Sequence, residues 1–201
     1  MAKHRLPKLD IEYAWGYDAI VHAAKKQRFG IGDMAFGRRF ATRFRKEIKP
    51  TLNSFLAVAE KESGLRWRQS QIKCYVVHGI DFDIEDPLTI KIMHNGRIKN
   101  AVETLYHELI HLLIEQNKDH LRNQNYLTKK YRSEPLDVRD HIFDQAVMWK
   151  VYNKFFGPKK TKRIIASYRN MPEHMRAWRI IKKEGVDRII NAYMLNQTKT
   201  S

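Results

Sequence analysis

The 201-residue chain carries 38 Lys and Arg against 22 Asp and Glu, a net charge of +16, and 43% of its residues are hydrophobic. That apolar share excludes wholesale disorder, and no apolar run approaches the ~20 residues needed to span a bilayer, so no membrane partner is expected. The length suits one domain with a small appendage. The basic start, Met1 to Lys8, has no apolar stretch after it, so it does not read as a secretory signal. The lone cysteine, Cys74, cannot form an internal disulfide; it reads as a buried thiol in a reducing, cytoplasmic protein.

In chain order, residues 10–28 are aromatic and alanine-rich and read as a helix. Residues 29–33 form a loop whose two glycines lack the Lys-Ser/Thr of a phosphate loop. Residues 38–64 read as helical, split or kinked at Pro50 and stopped at Gly64. Their stripe of Phe40, Phe44, Ile48, Leu52 and Phe55 has helical spacing and reads as core. Residues 72–78 read as a strand, Ile80 to Ile84 as a short second one alternating with acids, and Leu88 to Met93 as a third. His94-Asn-Gly-Arg97 is the turn into the next helix.

That helix, residues 101–115, contains His107-Glu108-x-x-His111. Residues four apart lie one above the other on a helix, so two imidazoles can face one Zn2+ as two of its tetrahedral ligands. Glu108 is placed to take a proton from a water that the metal activates. Val102, Leu105, Leu109, Leu112, Leu113 and Ile114 make most sides of the helix apolar, while Glu103, His107, His111 and Glu115 form one polar stripe. The bland alternative is a pair of satisfied core histidines beside a solvated face. Polar groups on a buried helix require partners under either account.

Residues 101–115, and more loosely 72–155, resemble the zincins, zinc metallopeptidases built on an HExxH helix. The resemblance implies a small sheet packed on that helix, a later helix with a third ligand, and hydrolysis of peptide bonds. The metzincin pattern needs Gly and His where this chain has Ile114 and Asn117, so that subgroup is out. SprT-like proteases carry a third His further downstream; His120 comes early for that role. The segment Ser133 to Tyr152 opens like a helix, with Pro135 in its first turn. His141 is the preferred third ligand, with Asp144 three residues on as its support. Asp140-x-x-x-Asp144 is similar to the acid-x-x-x-Asp of gluzincins, with Asp where Glu is usual, so Asp140 competes. Glu134, His120 and Asp144 also remain open. The polar segment 118–132, with Tyr126 and Tyr131, is placed to close over a metal, and a phenol there can stabilise an oxyanion.

Charge is uneven: residues 1–50 have net +7, 51–156 net +1 and 157–201 net +8. Basic flanks suit a polyanion such as nucleic acid, or serve solubility alone. After Gly157-Pro158 comes the cluster Lys159 to Arg163, then two helices separated at Gly185 that loosely resemble a helix-turn-helix. Two packed C-terminal helices are more often core support. The reading is an α+β, mostly helical zincin-like domain with a small antiparallel or mixed sheet. Residues 1–156 are its metal-binding part and 157–201 a basic helical extension. The expected activity is a zinc metallopeptidase with His107, His111 and His141 on the metal and Glu108 as base, acting on a protein or peptide substrate. The alternative is a nucleic-acid-binding protein with a structural or vestigial zinc site.

Overall fold

The computed structural model describes residues 5–93, 96–121 and 129–194, without the His120 side chain. The fold is α+β and mostly helical, with one mixed four-stranded sheet in the order β1-β2-β4-β3. Two compact units divide the chain: residues 1–56 with 67–112, and residues 57–66 with 113–201. No helix among the described residues is long and apolar enough to cross a membrane.

Residues 10–28 are not one helix: Lys8–Tyr13 is strand β1, and only Trp15–Ala24 is helical (α1). Leu9, Ile11 and Tyr13 alternate with Lys8, Asp10 and Glu12, a period of two that a strand satisfies and a helix does not. β1 pairs in parallel with β2 (Gln71–Val77), Lys8 opposite Gln71 and Tyr13 opposite Val76. β2 pairs in parallel with β4 (Leu88–Lys91), and β4 pairs antiparallel with β3. β3 is only Ile84–Glu85, shorter than the run from Ile80 to Ile84 suggested.

Helices α2 (Ile31–Ile48) and α3 (Leu52–Ser63) flank Pro50, which cannot continue the backbone hydrogen-bond pattern. α2 starts earlier than its hydrophobic stripe indicates, because the Asp33 carboxylate accepts the Gly30 N–H at 2.9 Å. Phe40, Phe44, Ile48 and Phe55 are buried as expected, and Leu52 is half-buried. Gly37 is a glycine for a packing reason. A Cβ there would sit 2.2 Å from the Tyr13 ring, so only glycine lets β1 lie this close to α2.

Asp18 of α1 ties this unit together. It is fully buried. Its carboxylate accepts the Tyr13 hydroxyl at 2.7 Å and the backbone N–H groups of His78 and Gly79 at 3.2 and 2.6 Å. The His22 ring nitrogen Nδ1 lies 3.3 Å from the same carboxylate. One side chain thus joins the end of β1, helix α1 and the exit of β2.

The HExxH helix is α4, Ile98–Glu115. In the first unit, its Tyr106 stacks on Phe55 with ring centroids 4.1 Å apart, and its hydroxyl meets Thr51 at 2.6 Å.

The second unit includes α5 (Lys118–Leu121) and the long helix α6 (Leu136–Phe156). Pro135 stands at the α6 N-cap, one residue before the first turn in which the sequence placed it. Helices α7 (Pro158–Ser167), α8 (Pro172–Glu184) and α9 (Val186–Met194) pack against α6. Trp149 meets Trp178 at 5.0 Å and Phe143 stacks on Tyr193 at 4.3 Å. The boundary expected at 156/157 therefore falls inside this unit. The two helices around Gly185 bury Trp178, Ile181, Ile189 and Ile190, so they supply core. Gly185 has φ +90, the left-handed region in which glycine ends a helix without strain.

Candidate metal centre

α4 puts His107 and His111 on one face, and their Nε2 atoms approach to 2.9 Å. The rings meet edge to face, with centroids 4.6 Å apart. This arrangement can be tested against zinc. With Zn–N bonds of about 2.0–2.1 Å, nitrogens this close subtend about 90° at the metal, against about 109° in a regular tetrahedron. The pair therefore needs only a small opening to serve as two ligands. Both residues are half-buried.

Glu108 lies between them in sequence and is 8% exposed. Burial pushes its carboxyl up to about 7, the His111 side chain opposes this, and the charges of Asp83 and Glu85 add to the rise. A carboxyl held near neutrality is matched to accepting and returning a proton. The two acids acting on it come from the β3 edge of the sheet and the approach to it. Asp83 accepts the Lys91 N–H at 2.6 Å, which fixes it beside β4. Burial raises the Asp83 carboxyl, and that hydrogen bond lowers it.

Sequence reasoning saw Asp81, Asp83 and Glu85 only as the polar half of an alternating strand. That alternation was the one signal that could have found them. Its consequence is electrostatic: a base in the field of two further carboxylates binds cations and protons more readily.

The proposed third ligands fall elsewhere in the chain. His141, Asp140, Asp144 and Glu134 belong to the second unit, whereas His107, Glu108 and His111 belong to the first. The His141 Nδ1 hydrogen bonds to the Asp137 carbonyl one turn back, and its ring lies 4.0 Å from the His174 ring. His174 in turn stacks on Tyr168 and hydrogen bonds to the Gln145 amide at 2.8 Å. Burial raises the Asp140 carboxyl, with the Asp144 charge second. Glu134 receives both arms of the Arg176 guanidinium. The His120 side chain and Tyr126 lie outside the described residues. Tyr131 donates its hydroxyl to Glu184, which Lys130 also contacts. Among the described residues, no group of three or more His, Cys, Asp or Glu side chains converges to hold a metal ion. The motif pair is brought together, and His141 has a local set of partners.

Comparison with protein-family models, with curated proteins and with solved structures returns no match for this chain.

Proposed function

We propose that this chain is a zinc-dependent peptidase, a hydrolase of the zincin type acting on protein or peptide substrates in the cytoplasm. The observation that supports it is the convergence of the His107 and His111 Nε2 atoms at 2.9 Å beside the buried Glu108. Zn2+ held by this pair would polarise a scissile carbonyl and make a water acidic enough to lose its proton near neutral pH. Glu108 takes that proton on its carboxylate and returns it to the leaving amine. The third ligand proposed from the sequence is His141, with Asp144 to orient it. Among the described residues β3 pairs on one side only, with β4, which leaves an edge to which an extended peptide can add as a strand. Asp83 and Glu85 on that edge favour substrates with basic residues.

The test has two parts. Protein that has never met a chelator carries about one zinc per chain by elemental analysis, the stoichiometry of a single site. Glu108→Gln keeps the zinc and abolishes cleavage of an unfolded protein such as casein, because the amide cannot accept a proton. Zinc-free protein overturns the reading, and so does a fully active Glu108→Gln variant. The nucleic-acid reading keeps the basic flanks 1–50 and 157–201 as the contact surface, with zinc in a structural role. A closed four-ligand site would favour it over the peptidase.

A further inference from the structure

Most cations of the chain for which the structure gives partners are neutralised locally. Lys25 pairs with Asp81 at 2.6 Å and Lys150 with Asp187 at 3.0 Å. Lys130 and Arg188 share Glu184, and Arg176 takes Glu134. One surface instead gathers cations around a concavity. An open cleft of 1090 Å³ in the first unit is lined by Arg43 and Lys46 of α2 and by Arg97 and Lys99 at the start of α4, with Glu47 as the one carboxylate among the described lining residues. Arg39 lies one turn before Arg43 and lines an adjoining pocket of 260 Å³. All five cations are exposed. Among the described residues, Arg39, Arg43, Lys46 and Lys99 pair with no carboxylate. The like charges of Arg39, Arg43, Lys46 and Lys99 repel one another, and an anion relieves that repulsion.

The adjoining pocket shares Arg43 and Gly96 with the cleft and adds Phe36 and Phe40. Phe40 is buried and forms its floor. Phe36 is half-buried and meets the His78 ring edge to face, with centroids 5.6 Å apart. The pocket lies just under the ~300 Å³ lower end of small-molecule sites, so it takes one ring system.

We infer that this cleft binds a single strand of nucleic acid, with phosphates along Arg39, Arg43 and Lys46 and one base against Phe36. The spacing fits. Positions 39, 43 and 46 recur at helical intervals on one face of α2 and cover about 10 Å of its axis. Over that distance one strand of B-form pitch presents about three phosphates. An aromatic platform beside a basic groove is the general form of single-strand binding. A lipid headgroup layer is a poorer fit, because a planar surface does not enter a concave cleft. Arg97 and Lys99 come from the near-neutral middle of the chain, so the site exceeds the basic N-terminal flank that charge counting indicated. The inference stands apart from the peptidase reading, because the described lining of the cleft and of its adjoining pocket includes none of His107, Glu108 and His111.

The experiment is anisotropy of a fluorescent single-stranded 15-mer with the full-length protein across a salt series. Deletion of 157–201 is no substitute, since α7, α8 and α9 pack on α6. The triple variant Arg39→Ala, Arg43→Ala, Lys46→Ala is expected to bind about tenfold or more weakly at low salt. Its log K against log salt slope is expected to fall by about 2, at about 0.7 per lost phosphate contact. Phe36→Ala is expected to lose about five- to hundredfold, and Phe36→Tyr to retain binding. The control Lys61→Ala, Arg66→Ala, Lys73→Ala removes equal charge from exposed positions outside the cleft and is expected to bind as wild type. No binding of the wild type at low salt overturns the inference. So does equal weakening by the control, or capture of phosphatidylglycerol vesicles in place of the strand. Equal binding of a duplex by wild type and Phe36→Ala removes the seated base.

Discussion

Asp18→Ala tests whether one carboxylate joins three elements of the first unit. The substitution leaves three donors without their acceptor: the Tyr13 hydroxyl and the N–H groups of His78 and Gly79. Each buried donor left unmade costs about 1–3 kcal/mol, and partial rescue by water and relaxation brings the expected loss to about 4 kcal/mol. Asp18→Asn separates shape from charge. Its amide oxygen can still accept from His78 and Gly79, and its NH2 group can donate to the Tyr13 hydroxyl, which accepts as well as donates. The expected loss is about 1–2 kcal/mol, that of replacing charge-assisted bonds with neutral ones. Urea unfolding followed by far-UV circular dichroism measures both, at unchanged m-value. The reasoning is refuted if Asp18→Ala loses less than about 1 kcal/mol, or if Asn costs as much as Ala.

Three further outcomes follow. Glu184 is held down at about 2 by hydrogen bonds from Lys130 and Tyr131, below an ordinary value of 4.5. Its stabilising effect is therefore full above pH 4.5 and is lost as pH falls towards 2; acid titrations of stability should show this step in wild type and lack it in Glu184→Gln. Cys74 is buried, and burial pushes its thiol up, so it should react with a thiol reagent only after denaturant exposes it. His141→Ala should weaken zinc binding far more than Asp140→Ala in a chelator competition; the reverse ranking would assign the third ligand to the acid.

Helices with strong punctuation were legible from the sequence. Pro50 separates α2 from α3, Gly64 and Gly185 end helices with φ +74 and +90, and Pro135 opens α6. In each case one residue's backbone limits act within a few positions. The HExxH pair was legible for the same reason, since a four-residue spacing on a helix fixes a face. β1 was missed because two periods overlap near residue 13: strand alternation before it, and an aromatic and alanine-rich helical stretch after it. The influence of Asp83 and Glu85 on Glu108 was not legible, because it arises from folding and not from spacing. The third ligand shares that difficulty. No local rule relates a residue of α4 to one of α6, and His141 has partners of its own at Asp137 and His174.

The parallel pairing of β1 with β2 has a consequence for biosynthesis. Lys8 of β1 lies opposite Gln71, so the strand emerges from the ribosome well before the chain it pairs with exists. At about 5–20 residues per second, that wait is about 3–13 s. Through it, Leu9 and Ile11 remain an unpaired apolar edge, the kind of segment that nascent-chain chaperones hold and that aggregates when they do not. Non-local pairing of this kind also slows folding of the finished chain, because loop closure must precede any gain from the ladder. Synonymous changes that slow translation between residues 14 and 70 would lengthen that exposure, and lower soluble yield, without altering a single residue of the product.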